Sequence, residues 1–254
     1  TDITAHKAAE EALCRLNDKL DRLVAERTAQ LETAIMEQEA FSYSVSHDLR
    51  APLRHINSYI FLLQENFRAV LPEEARDHLN RISKSAKKMG LLIENLLELS
   101  RVNRTTIKRN PVNLSEMAAD IANRLQETDP HRAVEFLIEP GLQASCDQIL
   151  VQQLLENLLG NAWKYTATAT KPCIEFRMTS SGKDQIFSII DNGVGFDMSY
   201  CDKLFAPFQR LHGVEFEGNG IGLATAQRIV LHHGGKIWGE GEEGEGARFY
   251  FTLP

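Results

Sequence analysis

Two glycine clusters carry the most specific chemical signal in the chain. They are Asp191-Asn192-Gly193-Val194-Gly195 and Gly218-Asn219-Gly220-Ile221-Gly222. Glycine lets the main chain adopt positive φ and approach a ligand closely. A helix that opens after such a loop presents unpaired N–H groups to phosphate. The first cluster follows a strand pattern and the second opens a helix pattern, so they read as the two ends of a nucleotide lid. No Gly-Lys-Ser/Thr is present, which excludes a Walker-type loop. Upstream, Asn157, Asn161 and Lys164 recur at spacings of four and three and share one helix face, with Tyr165 next. Two amides and an ammonium so placed can meet a hydrated Mg²⁺ and a phosphate chain. The remaining candidate is His47. It lies two residues from both Val45 and Leu49, so helical geometry turns it away from the apolar stripe, onto a polar face with Tyr43, Arg50 and Arg54. Pro52 lacks an N–H and its ring crowds the Asp48 carbonyl, so the helix should kink or loosen just beyond His47.

The elements that must position these residues fall into three textures. Residues 1–37 are rich in Ala, Glu, Leu and Arg, with no Gly or Pro. Leu13, Leu16, Leu20 and Leu23 keep heptad spacing, and Val24, Leu31 and Ile35 then continue a stripe shifted by about one turn, a stutter. This predicts a parallel coiled coil, with a plain amphipathic helix as the alternative. Residues 38–104 contain two amphipathic helices around Leu71-Pro72-Glu73-Glu74. One carries Phe41, Val45, Leu49, Leu53, Ile56, Ile60, Leu63 and Phe67, the other Leu79, Ile82, Ala86, Met89, Ile93, Leu96 and Ser100. Such a hairpin has too little core alone, and dimerising into a four-helix bundle is the natural solution.

Residues 105–254 alternate helix and strand patterns. Helices are expected at 114–126, with Asn113 or Ser115 near the start, at 147–165 and at 221–233. Strands are expected at 133–138 and 142–145 around Pro140-Gly141, at 173–179 and 185–190 around Ser181 to Asp184, and in a last hairpin around 241–246. The expected fold class is α+β: a helical bundle followed by a mixed sheet with helices over one face.

Composition narrows the function. A net charge of −7 is a poor prior for nucleic-acid binding, which needs a basic footprint. No stretch has the ~20 uninterrupted apolar residues of a membrane span. Cys14, Cys146, Cys173 and Cys201 form no CxxC pair and suit a reducing, cytoplasmic setting. The chain starts at Thr1 in helical-looking sequence and reads as a fragment of something longer.

Taken in order, the motifs resemble the sensor histidine kinases of two-component signalling. Phe41 to Leu53 looks like the H box, Asn157 to Tyr165 the N box, and Asp191 to Phe196 the G1 box. Phe205-Ala206-Pro207-Phe208-Gln209-Arg210 is similar to the F box, and Gly218 to Leu223 to the G2 box. Asp2-Ile3-Thr4 with the helix that follows resembles the exit of a PAS sensor domain, as in phytochrome-like kinases. The resemblance implies an ATP-dependent kinase that phosphorylates His47 and passes the phosphoryl group to an aspartate on a response-regulator receiver domain. It implies Asp48 as general base and Asp191 as acceptor for the adenine amino group. Asn161, with Asn157 close by, would ligate Mg²⁺. Lys164 and Arg210 would steady the phosphates, and Tyr165 would pack near ribose and adenine. Phe205, Phe208, Gly193, Gly195, Gly218, Gly220, Gly222 and Leu223 would complete the ATP site. Where the family often has Thr or Asn four residues after the histidine, this chain has Ala51, which implies weak phosphatase activity. Asn219 replaces a more frequent Thr or Ser. Two rivals are an unrelated ATPase on the same nucleotide fold, which leaves the His47 hairpin unexplained, and an inactive scaffold, which the intact motifs oppose.

Overall fold

The computed structural model describes residues 2–68, 70–102, 107–181, 184–209, 216 and 220–254. The N-terminal region and the first helix of the hairpin form one continuous element. Helix α1 runs unbroken from Asp2 to Asn66 and retains Pro52 in its interior. Helix α2, Glu73–Val102, returns alongside it, opening with Glu73 and Glu74 at its positive end. The inner seam between them is narrow. Leu53, Ile60 and Ala86 are buried, and a Cβ on Gly90 would stand 3.3 Å from Leu53 Cδ2. Of the predicted stripe, Leu49, Ile56, Leu63, Phe67, Ile82 and Met89 are exposed in the single chain, and Val45, Leu79 and Ile93 are half-buried.

The third region is a two-layer α/β unit. A five-stranded sheet has the order β2 (Glu135–Ile138), β4 (Cys173–Ser181), β5 (Asp184–Asp191), β7 (Gly246–Thr252), β6 (Ile237–Glu242). Only β2 and β4 run parallel, so the sheet is mixed as expected. The strands alternate: Ile174, Phe176, Phe187, Ile189, Phe249 and Phe251 face a core shared with helices α3 (Leu114–Thr128), α4 (Gln148–Tyr165) and α5 (Gly222–His232). The short strands expected around the Pro140-Gly141 turn form, but they do not pair with each other: β3 (Gln143–Cys146) pairs antiparallel with β1 (Asn110–Asn113) in a separate two-stranded sheet. Gly141, at φ 78°, turns the chain between sheets, and the Leu142 carbonyl accepts the Leu114 N–H at 2.8 Å.

The starts of α4 and the end of α5 are tied by one buried cluster. Asp147 caps α4, accepting from the Ile149 and Leu150 amides and, from the β1 side, from Lys108 N–H at 3.1 Å. His233, fully buried, accepts the Asp147 N–H at Nε2 (3.1 Å) and donates from Nδ1 to the Ile229 carbonyl (2.8 Å). Arg109 closes the cluster, donating to the His233 carbonyl at 2.7 Å and to the Pro254 carbonyl. The α/β unit meets the hairpin where Leu92 of α2 packs on Ile221 and Ala224 at the start of α5.

Candidate functional site

Strand β5 points Phe187, Ile189 and Asp191 toward the helices in turn, so a carboxylate occupies the place of the next core residue. Asp191 is 4% exposed. Burial pushes its carboxyl up to about 6, although the amides of Gly193 and Ala247 pull the other way. Its Oδ1 accepts the Gly193 N–H at 2.9 Å. A buried acid with so little compensation is a candidate functional position.

The loop after β5 is pressed between two backbones. A Cβ on Gly193 would lie 2.5 Å from the Tyr165 carbonyl oxygen. On Gly195, at φ 64°, it would lie 1.8 Å from the Glu242 carbonyl oxygen. Val194 donates its N–H to the Tyr165 carbonyl at 3.2 Å and accepts that of Gly244 at 2.8 Å. Spacing did not single out Asn192, yet its side chain latches the loop. Its Nδ2 donates to the Lys171 carbonyl (2.8 Å), and its Oδ1 accepts the Cys173 N–H (2.8 Å). The Asp-Asn-Gly run was the available signal, since Asn side chains often bond nearby main chain in turns.

Helix α4 presents Asn157 and Asn161 on one half-buried face. Asn157 donates to the Gln153 carbonyl at 3.0 Å, and its Oδ1 would come within 2.9 Å of a Cβ on Gly222. Gly222 is therefore small because Asn157 faces it across the start of α5. Among the described residues no side chain caps that helix start, which is suited to an anion. The Lys164 ammonium stands 4.0 Å from the Tyr165 ring centroid, and the Tyr165 ring meets Phe216 edge-on at 5.2 Å.

Phe205 and Leu223 pack against the core, and Phe208 is exposed. The Phe208 N–H donates to the Gly220 carbonyl at 2.8 Å, with both residues in the left-handed region at φ 64° and 68°. Phe208 is thus tied to the second glycine cluster. Arg210, Gly218 and Asn219 lie outside the described residues.

His47 lies on α1 between Ser46, buried with no partner for its hydroxyl among the described residues, and Asp48, which is exposed. Ala51 is half-buried one turn on. The structure brings Asp191 and Gly193 together with Tyr165 at the end of α4, sets Asn157 against Gly222 at the start of α5, and packs Gly195 on Glu242, while His47, Asp48 and Ala51 belong to the hairpin. Among the described residues no group of three or more His, Cys, Asp or Glu side chains could hold a metal ion by itself. The donor near Gly222 is the Asn157 amide oxygen, which suits a hydrated Mg²⁺ shared with phosphate.

Comparison with known proteins adds the following. Residues 37–105 match the family described as His Kinase A (phospho-acceptor) domain. Residues 146–254 match the family described as histidine kinase-, DNA gyrase B-, and HSP90-like ATPase. The chain is 34% identical over 230 residues to the methanogenesis regulatory histidine kinase FilI of Methanothrix harundinacea (strain 6Ac), covering 90% of this chain and 26% of that protein. It is 34% identical over 238 residues to cyanobacterial phytochrome B of Nostoc sp. (strain PCC 7120 / SAG 25.82 / UTEX 2576), covering 92% of this chain and 32% of that protein. It therefore spans less than a third of these relatives. Full-length ShkA, solved in complex with AMPPNP, superposes with a TM-score of 0.64 at 25% identity, covering 86% of this chain and 45% of that one.

Proposed function

The chain belongs to the histidine kinases, and from that premise we propose that it transfers the γ-phosphoryl group of ATP to His47 and then to an aspartate of a response regulator. One observation carries this reading. The buried carboxylate of Asp191 and the Gly193 amide it accepts stand against the end of α4, while Asn157, midway along the same helix, faces the start of α5. A carboxylate there accepts the adenine amino group, while the uncapped start of α5 takes phosphate. Amide oxygens of Asn157 and Asn161 would hold Mg²⁺, which supplies charge neutralisation on the phosphates when bound.

Lys164 and Arg210 are assigned to the phosphates and Tyr165 to ribose and adenine. Gly195, Gly218 and Gly220 with Phe205, Phe208 and Leu223 shape the lid and its base. At His47 a neutral imidazole offers a lone pair to phosphorus, and Asp48 takes the proton from the other ring nitrogen. Transfer of this kind rests on positioning and charge stabilisation. The exposed apolar flanks of α1 and α2, together with Leu16, Leu20 and Leu23, fit a parallel homodimer. Ala51 offers no group to orient a water, so regulator dephosphorylation should be weak.

Incubation with γ-labelled ATP and Mg²⁺ tests the reading. Acid-labile, alkali-stable label that disappears in His47→Gln is expected. Release of free phosphate without labelled protein would instead indicate a plain ATPase, and no turnover a scaffold.

A further inference from the structure

The last turn of α4 carries Asn161, Lys164 and Tyr165 and touches the loop after β5, yet it is held from behind by a residue outside every motif. Arg132 lies between α3 and β2, its own N–H bonded to the Asp129 carbonyl at 3.1 Å. Its guanidinium carbon stands 4.4 Å from the Trp163 ring centroid, within cation–π range. Its Nη2 donates to Thr166 Oγ1 at 2.8 Å. Thr166 is fully buried and ends the helix: its hydroxyl donates to the Ala162 carbonyl at 2.7 Å and its N–H bonds the same carbonyl at 3.1 Å. Trp163 also stacks on Phe136 of β2, centroids 6.1 Å apart and planes 11° apart. The final carbonyls of a helix have no partners within it, and a cation near them is favourable. Arg132 supplies that cation and, through Thr166 and Trp163, fixes the turn's orientation against the sheet.

The opposite side of the same turn is where the nucleotide loop attaches. Tyr165 gives its carbonyl to Val194 N–H, and Gly193 approaches so closely that no side chain fits. The geometry points to Arg132 as a positioning residue for ATP, acting through Trp163 and Thr166 on the Tyr165 carbonyl and hence on the loop that carries Asp191. This inference rests on the ATP reading given above.

The test uses the full chain with Arg132→Ala and Arg132→Gln, measuring autophosphorylation KM and kcat together with thermal unfolding. The chain has two tryptophans, so in a Trp238→Phe background Trp163 emission reports on the contact directly. For Arg132→Ala we expect KM for ATP to rise about tenfold with kcat within about twofold, and the nucleotide-induced change in Trp163 emission to vanish. A merely structural residue would lower the unfolding temperature and the active fraction while leaving KM unchanged. Unchanged KM in a folded Arg132→Ala protein therefore overturns the inference. Should that variant not fold, Arg132→Gln decides. It keeps a donor for Thr166 but loses the cation over the indole, so a smaller rise in KM is expected, and no rise overturns the proposal. Absence of ATP binding in the unsubstituted chain would strike the ATP reading itself, a separate result.

Discussion

Asp191 Oδ1 accepts the Gly193 N–H at 2.9 Å from a position 4% exposed, so the loop that follows β5 is organised around a buried carboxylate. Its carboxyl is raised to about 6 from an ordinary 3.8 by burial. The folded state therefore disfavours the charge, and a displacement of that size corresponds to roughly 3 kcal/mol. The penalty is absent well below the unfolded value and complete above the folded one. Asp191→Asn should consequently stabilise the ligand-free protein by roughly 3 kcal/mol at pH 8 and by about half that at pH 5. It should also abolish ATP binding, because the amide would turn an NH₂ group toward the adenine amino group. Thermal unfolding at both pH values, with and without ATP, checks both halves. A destabilised variant at pH 8 would contradict the account.

Two glycines separate steric necessity from tolerance. Gly195 combines φ 64° with a Cβ position 1.8 Å from the Glu242 carbonyl oxygen, so Gly195→Ala should cost more than about 3 kcal/mol. Gly160, inside α4, has nothing within 4 Å of its Cβ position. Gly160→Ala should stabilise by about 0.5–1 kcal/mol through helix propensity and unfolded-state entropy. Chemical denaturation of the two variants should move in opposite directions.

These contrasts show where the sequence was readable. Glycine clusters, helix caps such as Asn113 and the strands facing the core announce themselves through local rules that tertiary packing does not reverse. The β1 strand does not: Asn110-Pro111-Val112-Asn113 contains proline, is four residues long, and exists because β3 pairs with it. Pro140-Gly141 has hairpin chemistry, but the core draws β2 to β4 and β3 to β1. Arg132 was invisible for another reason. Its partners Trp163 and Thr166 lie more than thirty residues away, and no periodicity connects them.

The hairpin's apolar stripe was legible as a stripe but not as a division of labour. Leu53 and Ile60 fill the seam with α2, whereas Ile56 is 41% and Ile82 48% exposed. Exposed isoleucines on adjoining helices fit an interface between two copies of the chain. Ile56→Glu combined with Ile82→Glu should yield a monomer in sedimentation analysis while α/β unfolding is unchanged. A persisting dimer would place the interface elsewhere.

Ala51 lies four residues beyond His47 and is half-buried, with no donor or acceptor to hold a water. Ala51→Thr supplies one at a half-buried helical position. Dephosphorylation of a phosphorylated cognate regulator should accelerate roughly tenfold on adding the hydroxyl, with His47 labelling retained. Rapid ADP-stimulated phosphate loss with the unsubstituted chain would rule out the assignment to Ala51.

His233 gives the chain an acid-sensitive joint. Both ring nitrogens are committed, Nε2 as acceptor for Asp147 N–H and Nδ1 as donor to the Ile229 carbonyl. Burial lowers its pKa, and Arg109 and His232 act in the same direction, while the Ile229 carbonyl and Asp147 oppose them. The folded state therefore binds fewer protons than the unfolded one just below pH 6.5, and stability is lost as pH falls through that window. Protonation forfeits the Nε2 bond that joins α5 to the cap of α4. His233→Gln cannot titrate. It should be less stable than the unsubstituted chain by about 1–3 kcal/mol at pH 7.5, with the gap narrowing at pH 5.5. Asp191 titrates with the opposite sign nearby, but it is present in both proteins and cancels from the difference. Denaturant unfolding at the two pH values measures the gap, and a gap that stays constant or widens would remove His233 from the acid response.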